Sequence, residues 1–363
     1  MHANRSDTYP PEFDILTVCA KADTDAAITH LEELISEDNF SWSLLTQLSV
    51  YHAVYPMLYQ KLITAKAAHV PEDVLHQFHR VYRNTAAHNL LLVQELKRVN
   101  QILAAHEIPL IAFKGPVLAQ VAYKNLGLRP CTDIDILIPE DRFSEVETVL
   151  IDDGYRVSSG IQSMSKSRKA LHLYLSQQAA FMRGRNYSLD VHVRLMPPGY
   201  KYNPSFEDLL ERSQQVAVAG SMIQSFAPED LLQILCYHGA KNRWERLKHI
   251  CDIAELVRAN QDMDWDAVIR RTEATRGLRI LGLGLYLAHK LLDLKLPDEV
   301  LKRVLSDKQV ISLGAWVIAR LPAQMELGIA GYKERVRLHL RLQDNVIDKA
   351  RYGLYSLLRQ IDD

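Results

Sequence analysis

Apolar residues recur at two different periods along this 363-residue chain, and the change of period is the strongest constraint on its fold. Up to about His106, and again from about Ser205, they come every three or four positions, the spacing that lays one stripe along a helix. Leu31, Leu34 and Ile35 follow it, as do Leu44, Leu45 and Leu48. Leu92, Leu96, Val99 and Leu103 share one stripe of a long helix predicted from about Val74 to Ala105, with Pro56 and Pro71 as punctuation before it. Between about residues 107 and 197 short β-rich runs take over. A mainly helical α+β protein follows, with a small mixed sheet between helical flanks. The expected divisions are 1–106 (helical), 107–200 (αβ core) and 201–363 (helical).

The middle zone begins with Ile108-Pro-Leu-Ile-Ala-Phe113, which ends at Lys114-Gly115. Pro116 then suits a first helical turn. A second strand is expected over Thr132–Ile138, stopped by Pro139, and a helix from Asp141 to Gly154. Tyr155-Arg-Val157 leads into a polar stretch rich in Ser and Lys. A hairpin follows, with arms 179–182 and 187–195 and its turn at Arg183-Gly-Arg-Asn186. Further helix starts are read at Pro228-Glu-Asp, Asp264 and Pro297-Asp-Glu299. Residues 1–10 are polar and expected to fray.

The chemistry is concentrated in Asp133-Ile-Asp-Ile136. Alternation along a strand puts Asp133 and Asp135 on one face, about 6.5–7 Å apart along the backbone, and sends Ile134, Ile136 and Ile138 into a core. Two neighbouring carboxylates repel unless something positive neutralises them, and a hard divalent cation with oxygen ligands does so. Alone, such a pair is more often an exposed acidic edge. Two features tilt the reading: Lys114-Gly115 opens a helix, a place suited to phosphate, and Asp190 shares a strand face with His192 and Arg194 while Leu189, Val191 and Val193 take the other.

Composition narrows the classes. A formal net charge of -1 and a pI near 6.9 argue against a dedicated nucleic-acid binder, though not against one basic cleft. Cys19, Cys131, Cys236 and Cys251 have no zinc spacing and are expected as reduced, buried thiols. No run approaches the roughly 18 apolar residues of a membrane span, and no secretory signal is expected, so cytoplasm is the default compartment.

These residues resemble the polymerase-β-type nucleotidyltransferase superfamily, and more closely its bacterial branch called the uncharacterised nucleotidyltransferase family. The resemblance runs through Phe113-Lys-Gly-Pro116, Leu128-Arg-Pro-Cys-Thr-Asp-Ile-Asp135, Leu189-Asp-Val-His192, Pro228-Glu-Asp-Leu-Leu232, Cys236-Tyr-His-Gly-Ala-Lys241 with Trp244, and Arg246-Leu-Lys-His-Ile-Cys-Asp252, over about residues 30 to 300. Lys114-Gly115 stands where the superfamily has a Gly-Ser turn, and the interval to Asp133 is longer than usual. The resemblance implies transfer of a nucleoside monophosphate to an acceptor hydroxyl with Mg2+ or Mn2+. Asp133, Asp135 and Asp190 are then the catalytic and metal-holding acids, and Lys114 and Gly115 steady the phosphates. ATP is the expected nucleoside triphosphate, on cellular abundance alone. The acceptor is open: metabolite, peptide, protein or RNA end, with nucleic acid not favoured and no membrane partner expected.

Other residues keep two readings. Arg129 suits a phosphate or a pairing with Asp133. His238, Lys241, Glu245 and Asp252 share one face if their segment is a single helix, and the resemblance implies nucleotide binding there, against a solvated stripe. Lys166–Lys169 and Arg183–Arg185 are basic patches, either solvated loops or guides for a triphosphate. His172 is an active-site or a strand-surface residue. The alternative to an enzyme is a non-catalytic nucleotide-binding or antitoxin-like module on the same fold, which need not keep Asp190 beside Asp133.

Overall fold

The computed structural model describes all residues except 1–9, 23–24, 37–39, 66–69, 158–162, 186, 203, 324, 326–330 and 363. The expected fraying segment and Asn186 of the expected hairpin turn therefore lie largely outside the described residues.

Five helices come first: α1 (Pro11–Cys19), α2 (Asp25–Ile35), α3 (Trp42–Tyr51), α4 (Tyr55–Thr64) and α5 (Glu72–Ala105). Proline in the first turn starts α1 and α4, and the Ser41 hydroxyl caps α3 by accepting from the Leu44 amide. The α5 stripe of Leu92, Leu96, Val99 and Leu103 is fully buried, but against the sheet and not against α1–α4.

The sheet is assembled from β1 (Ile111–Ala112), β2 (Ile134–Leu137), β3 (Arg156–Val157), β4 (Gln178–Arg183) and β5 (Tyr187–His192), in the order β1-β2-β5-β4-β3. Strands β2 and β5 are parallel and the other pairs antiparallel, so the sheet is mixed, as expected. Helices α6 (Gly115–Val121), α7 (Phe143–Asp152) and α8 (Lys166–Ser176) lie between the strands in sequence. Ile134, Ile136, Ile138, Leu189, Val191 and Val193 all bury into the core shared with α5. That leaves the intervening polar residues on the opposite face.

Two elements depart from expectation. The polar stretch after Val157 contains α8, capped by the Ser165 hydroxyl. Its Leu171, Leu173 and Leu175 sit at every second position, which hides the helical period, and only Leu173 and Leu175 are buried. His172 accordingly lies on a helix rather than a strand. Lys169 at the same helix start is tied to Glu147 (2.6 Å), and Arg183 to Glu95 (2.8 Å), so neither basic patch is a free loop. Second, after α9 (Phe206–Arg212) the region expected to be helical forms a hairpin, β6 (Gln214–Val218) and β7 (Ser221–Ser225). Ala219 and Gly220 both take positive φ, 44° and 80°, the backbone of a tight two-residue hairpin turn. Val218 and Ile223 carry it into the core of the main sheet.

The chain continues through α10 (Pro228–Lys241), α11 (Leu247–Ala259), α12 (Trp265–Ala274), α13 (Leu278–Leu292), α14 (Asp298–Ser306), α15 (Lys308–Arg320), α16 (Tyr332–Leu342) and α17 (Val346–Asp362). Proline opens α10, and Asp264 caps α12 by accepting from the Ala267 amide at 2.9 Å. Most of these helices share a core with α1–α4. The four cysteines are buried, and none forms a disulfide among the described residues. Among the described residues no helix is long and apolar enough to cross a membrane.

Candidate active site

Strands β2 and β5 run in register with Asp135 opposite Asp190. Their apolar neighbours fill the core on one face, so pleat alternation delivers both carboxylates, and His192, to the other. Asp135 is 3% exposed, and its Oδ1 receives Lys114 Nζ at 2.6 Å and His192 Nε2 at 3.0 Å. Burial opposes its charge, but Lys114 and then His192 more than reverse this and hold the carboxyl well below the usual carboxylate range. An ionised carboxylate only accepts hydrogen bonds, so His192 Nε2 carries the proton. Burial lowers the His192 pKa as well, which keeps the ring neutral.

Asp190 behaves oppositely. Burial first, then the charges of Asp135 and Asp133, push it up to about 6. The Gln178 side-chain amide donates to its Oδ2. Asp135, Asp190 and His192 each bring one potential ligand atom to within 4.8 Å of the other two. Asp133 sits one residue ahead of β2, half-buried, and contributes its charge from there.

The turn between β1 and α6 is held from two sides. Gly115 has φ +52°, and a Cβ there would lie 2.6 Å from the Asp133 carbonyl oxygen, so only glycine lets the turn approach the acid strand. Its own carbonyl accepts from Arg129 Nη1 at 3.2 Å. Gly115→Ala is expected to cost about 1–3 kcal/mol for the strained backbone alone, read as a lower urea midpoint. A wild-type midpoint would mean that the turn tolerates a side chain.

Arg129 and Asp252 are 4% and 1% exposed and form a two-pronged pair, Nε to Oδ1 at 2.7 Å and Nη2 to Oδ2 at 3.0 Å. Tyr123 hydroxyl donates to the same carboxylate at 2.8 Å. Asn89 and Lys248 donate to the carbonyls of Arg129 and Pro130, both at 2.8 Å. Burial raises Asp252, and Arg129 reverses it.

The sequence model of the family described as uncharacterised nucleotidyltransferase matches residues 38–293. The chain belongs to this family. It is accordingly a nucleotidyltransferase, as the motifs implied. No curated protein matches it. Two solved structures of ANT(2'')-Ia, described as an antibiotic-resistance factor, are similar to it at 16% identity and a TM-score of 0.37. The first is a solution structure, covering 52% of this chain and 92% of the other. The second is a crystal structure in complex with adenylyl-2''-tobramycin, covering 51% and 96%. So loose a likeness transfers no substrate to this chain.

Within this nucleotidyltransferase the residues singled out from sequence separate into two groups. Asp135, Asp190, Lys114 and Gly115 come together at β2, β5 and the α6 turn, while Asp133 acts on Asp190 by its charge from outside the group of close ligand atoms. His238 and Lys241 reach the same region from α10: Lys114 and Asp135 act on both, and Asp190 acts on Lys241. Burial first, then Lys114, pushes His238 well down, so it is neutral. Arg129 and Asp252 do not join them. They are spent on each other, and Arg129 pairs with neither a free cleft nor Asp133. The single helix that would align His238 with Asp252 is broken where Arg243 and Trp244 take φ 56° and 55°. The fully buried Trp244 folds back onto Gly239, where a Cβ would meet its ring at 2.2 Å.

His192 and Gln178 were not assigned roles from sequence. His192 was legible, since it shares the Asp190 face. Gln178 was not, because its contact depends on the register that sets it opposite His192.

Proposed function

We propose that this protein transfers a nucleoside monophosphate, AMP from ATP, to the hydroxyl of a small acceptor. The observation that carries the reading is the opposed pair Asp135 and Asp190 on parallel strands, with Asp133 close enough to raise Asp190 further. Carboxylates that repel one another form a hard oxygen donor set, which fits a divalent cation of the Mg2+ or Mn2+ type. Asp133, Asp135 and Asp190 would hold it. When bound, such an ion supplies charge stabilisation to transferring phosphoryl oxygens.

The protein's own groups then have distinct tasks. His192 orients Asp135 through Nε2 and acts as a positioning residue. The Gly115 turn and Lys114 face the phosphate tail, and His238 and Lys241 line the approach from α10. Arg129 and Asp252 act indirectly, by bracing the Gly115 turn. The acceptor oxygen bonds to the α-phosphorus as the bond from that phosphorus to the bridging oxygen breaks, and pyrophosphate leaves. The hydroxyl proton passes to the Asp190 carboxylate, which a bound cation would keep ionised and able to accept it.

Labelled nucleoside triphosphates incubated with Mg2+ and metabolite pools should release pyrophosphate and label an acceptor. Tight triphosphate binding without release under any condition would favour the non-catalytic alternative. Lys114→Ala should weaken ATP binding about tenfold and AMP binding far less, because its partner is the tail. Calorimetry that finds equal losses removes Lys114 from that task. A chelator should weaken ATP binding to wild type in the same titration.

A further inference from the structure

Helix α17 presents its apolar side to solvent. At about 3.6 residues per turn, Val346, Ile347, Ala350, Leu354, Leu357 and Leu358 fall within one sector of about 120°. A surface helix ordinarily turns such a stripe into the core. Here all six residues are exposed, the five larger ones by 44% (Leu358) to 77% (Val346). The helix is seated by its other side. Tyr352 is buried against the rings of Tyr200 and His339, at centroid distances of 5.5 and 4.9 Å. Ser356 Oγ meets the Tyr332 hydroxyl at 2.8 Å. The buried Asp348 accepts from Arg351 Nη1 at 2.9 Å and from Arg276 Nη1 at 3.4 Å.

Cations border this stripe. Lys333, Arg337 and Arg341 recur at every fourth position of α16, which puts them in one row. With Lys349 of α17 they line a groove whose wall includes Val336 and Leu340. Lys349 is one helical turn from Val346, so groove and stripe are continuous. Lys333, Arg337 and Lys349 make no ion pair among the described residues. Arg341 Nη2 donates to neutral oxygens, Gln309 Oε1 at 3.3 Å and Ser312 Oγ at 3.0 Å. Of the carboxylates described on the two helices, Glu334 is turned to Arg320 at 3.0 Å and Asp348 is buried. The whole chain carries a formal net charge of -1, so attraction to an anionic partner is local to this surface.

An aliphatic stripe beside a row of cations asks for a partner that is apolar and anionic at once. Nucleic acid supplies phosphates but nothing for the aliphatic side chains to enter. A second copy of this chain supplies an apolar face, but a two-fold pair meets rim to rim, cation against cation. The boundary of a lipid layer takes both: aliphatic side chains enter the acyl region while Lys and Arg stay among anionic headgroups. We propose that α16 and α17 form a docking surface for an anionic lipid layer, with α17 lying in its plane and the apolar stripe inward. The sequence expectation of no membrane partner rested on the lack of a spanning run, and a helix lying in the interface needs only one apolar face. Both helices lie beyond the family match at residues 38–293, so the surface belongs to the chain's own C-terminal segment. It is independent of the nucleotide and of the acceptor.

The test mixes the full chain with vesicles of phosphatidylcholine alone, or of phosphatidylcholine with phosphatidylglycerol, and separates bound protein by flotation. The anionic vesicles should bind it about tenfold more tightly than the neutral ones, and added salt should weaken that binding. Leu354→Ser/Leu357→Ser should lower affinity for anionic vesicles about tenfold without lowering the melting temperature, because both side chains stand in solvent. Lys333→Gln/Arg337→Gln/Lys349→Gln should bind the two kinds of vesicle alike. Wild type supplies an independent measurement: with anionic vesicles, amide hydrogen exchange should slow in α16 and α17 and not in the β-sheet. Absence of binding to anionic vesicles, equal binding of wild type to both kinds, or undiminished binding by the folded leucine variant overturns the proposal. So does slowed exchange elsewhere than in α16 and α17. A wild-type dimer that the leucine variant turns into a monomer, with no vesicle binding by either, also overturns it and gives the face to a second copy of the chain.

Discussion

Asp190→Asn is expected to keep the fold and lose nucleotide transfer by about 10²–10⁴-fold, the usual worth of a positioned base. It should also remove a pH dependence of stability. The Asp190 carboxyl is raised from 3.8 to about 6 in the folded protein, first by burial and then by Asp135 and Asp133. Below about pH 4 both folded and unfolded chains hold this proton. Between about 4 and 6 only the folded chain does, and above 6 neither does. The folded state therefore binds more protons in that window, and metal-free stability falls as pH rises through it, by roughly 2 kcal/mol for this partly buried group. Asparagine keeps the shape without the charge. The variant should thus be more stable than wild type at pH 7 in a chelator, and lack the loss between pH 4 and 6. Mg2+ should restore wild type at pH 7 and do little for the variant. Urea midpoints across that range, with pyrophosphate release on the same preparations, decide the matter. An active variant, or an undiminished pH slope in it, would falsify the assignment.

Arg129→Ala should cost about 3–5 kcal/mol of stability, because it leaves Asp252 buried without its cation. The double variant Arg129→Met/Asp252→Leu should recover much of this, since removing both charges also removes the cost of burying them. Nucleotide affinity of the folded single variant should fall less than its stability, through a looser Gly115 turn. A stable Arg129→Ala protein whose only defect is weak ATP binding would instead return Arg129 to the phosphate role read from sequence. Denaturation of wild type, Arg129→Met, Asp252→Leu and the double variant isolates the coupling.

What could be read from the sequence is what the backbone decides locally. Side chains alternate across a strand, so the isoleucines around Asp135 and the leucine and valines around Asp190 already place both acids on the face away from the core. A helix repeats every 3.6 residues, so the α5 stripe was visible as a stripe. The requirement for glycine at position 115 follows from how closely that turn must pass Asp133, and the sequence indicated the turn without the approach. Tertiary structure decided the partners. Arg129 meets Asp252 across 123 positions of chain only because α11 packs behind the α6–β2 loop. Two left-handed residues at 243 and 244 divide a polar stripe that period alone would have kept whole, sending His238 and Lys241 toward the acids and Asp252 into the interior. The cleft between the C-terminal end of α10 and helices α16 and α17 is the extreme case, since its wall gathers residues from 175 to 359, Lys241, Arg243 and Arg335 among them. No local period encodes such a gathering, because charge in a cleft depends on which helices pack side by side. That is settled by the burial of their apolar faces, not by the cations those faces carry along.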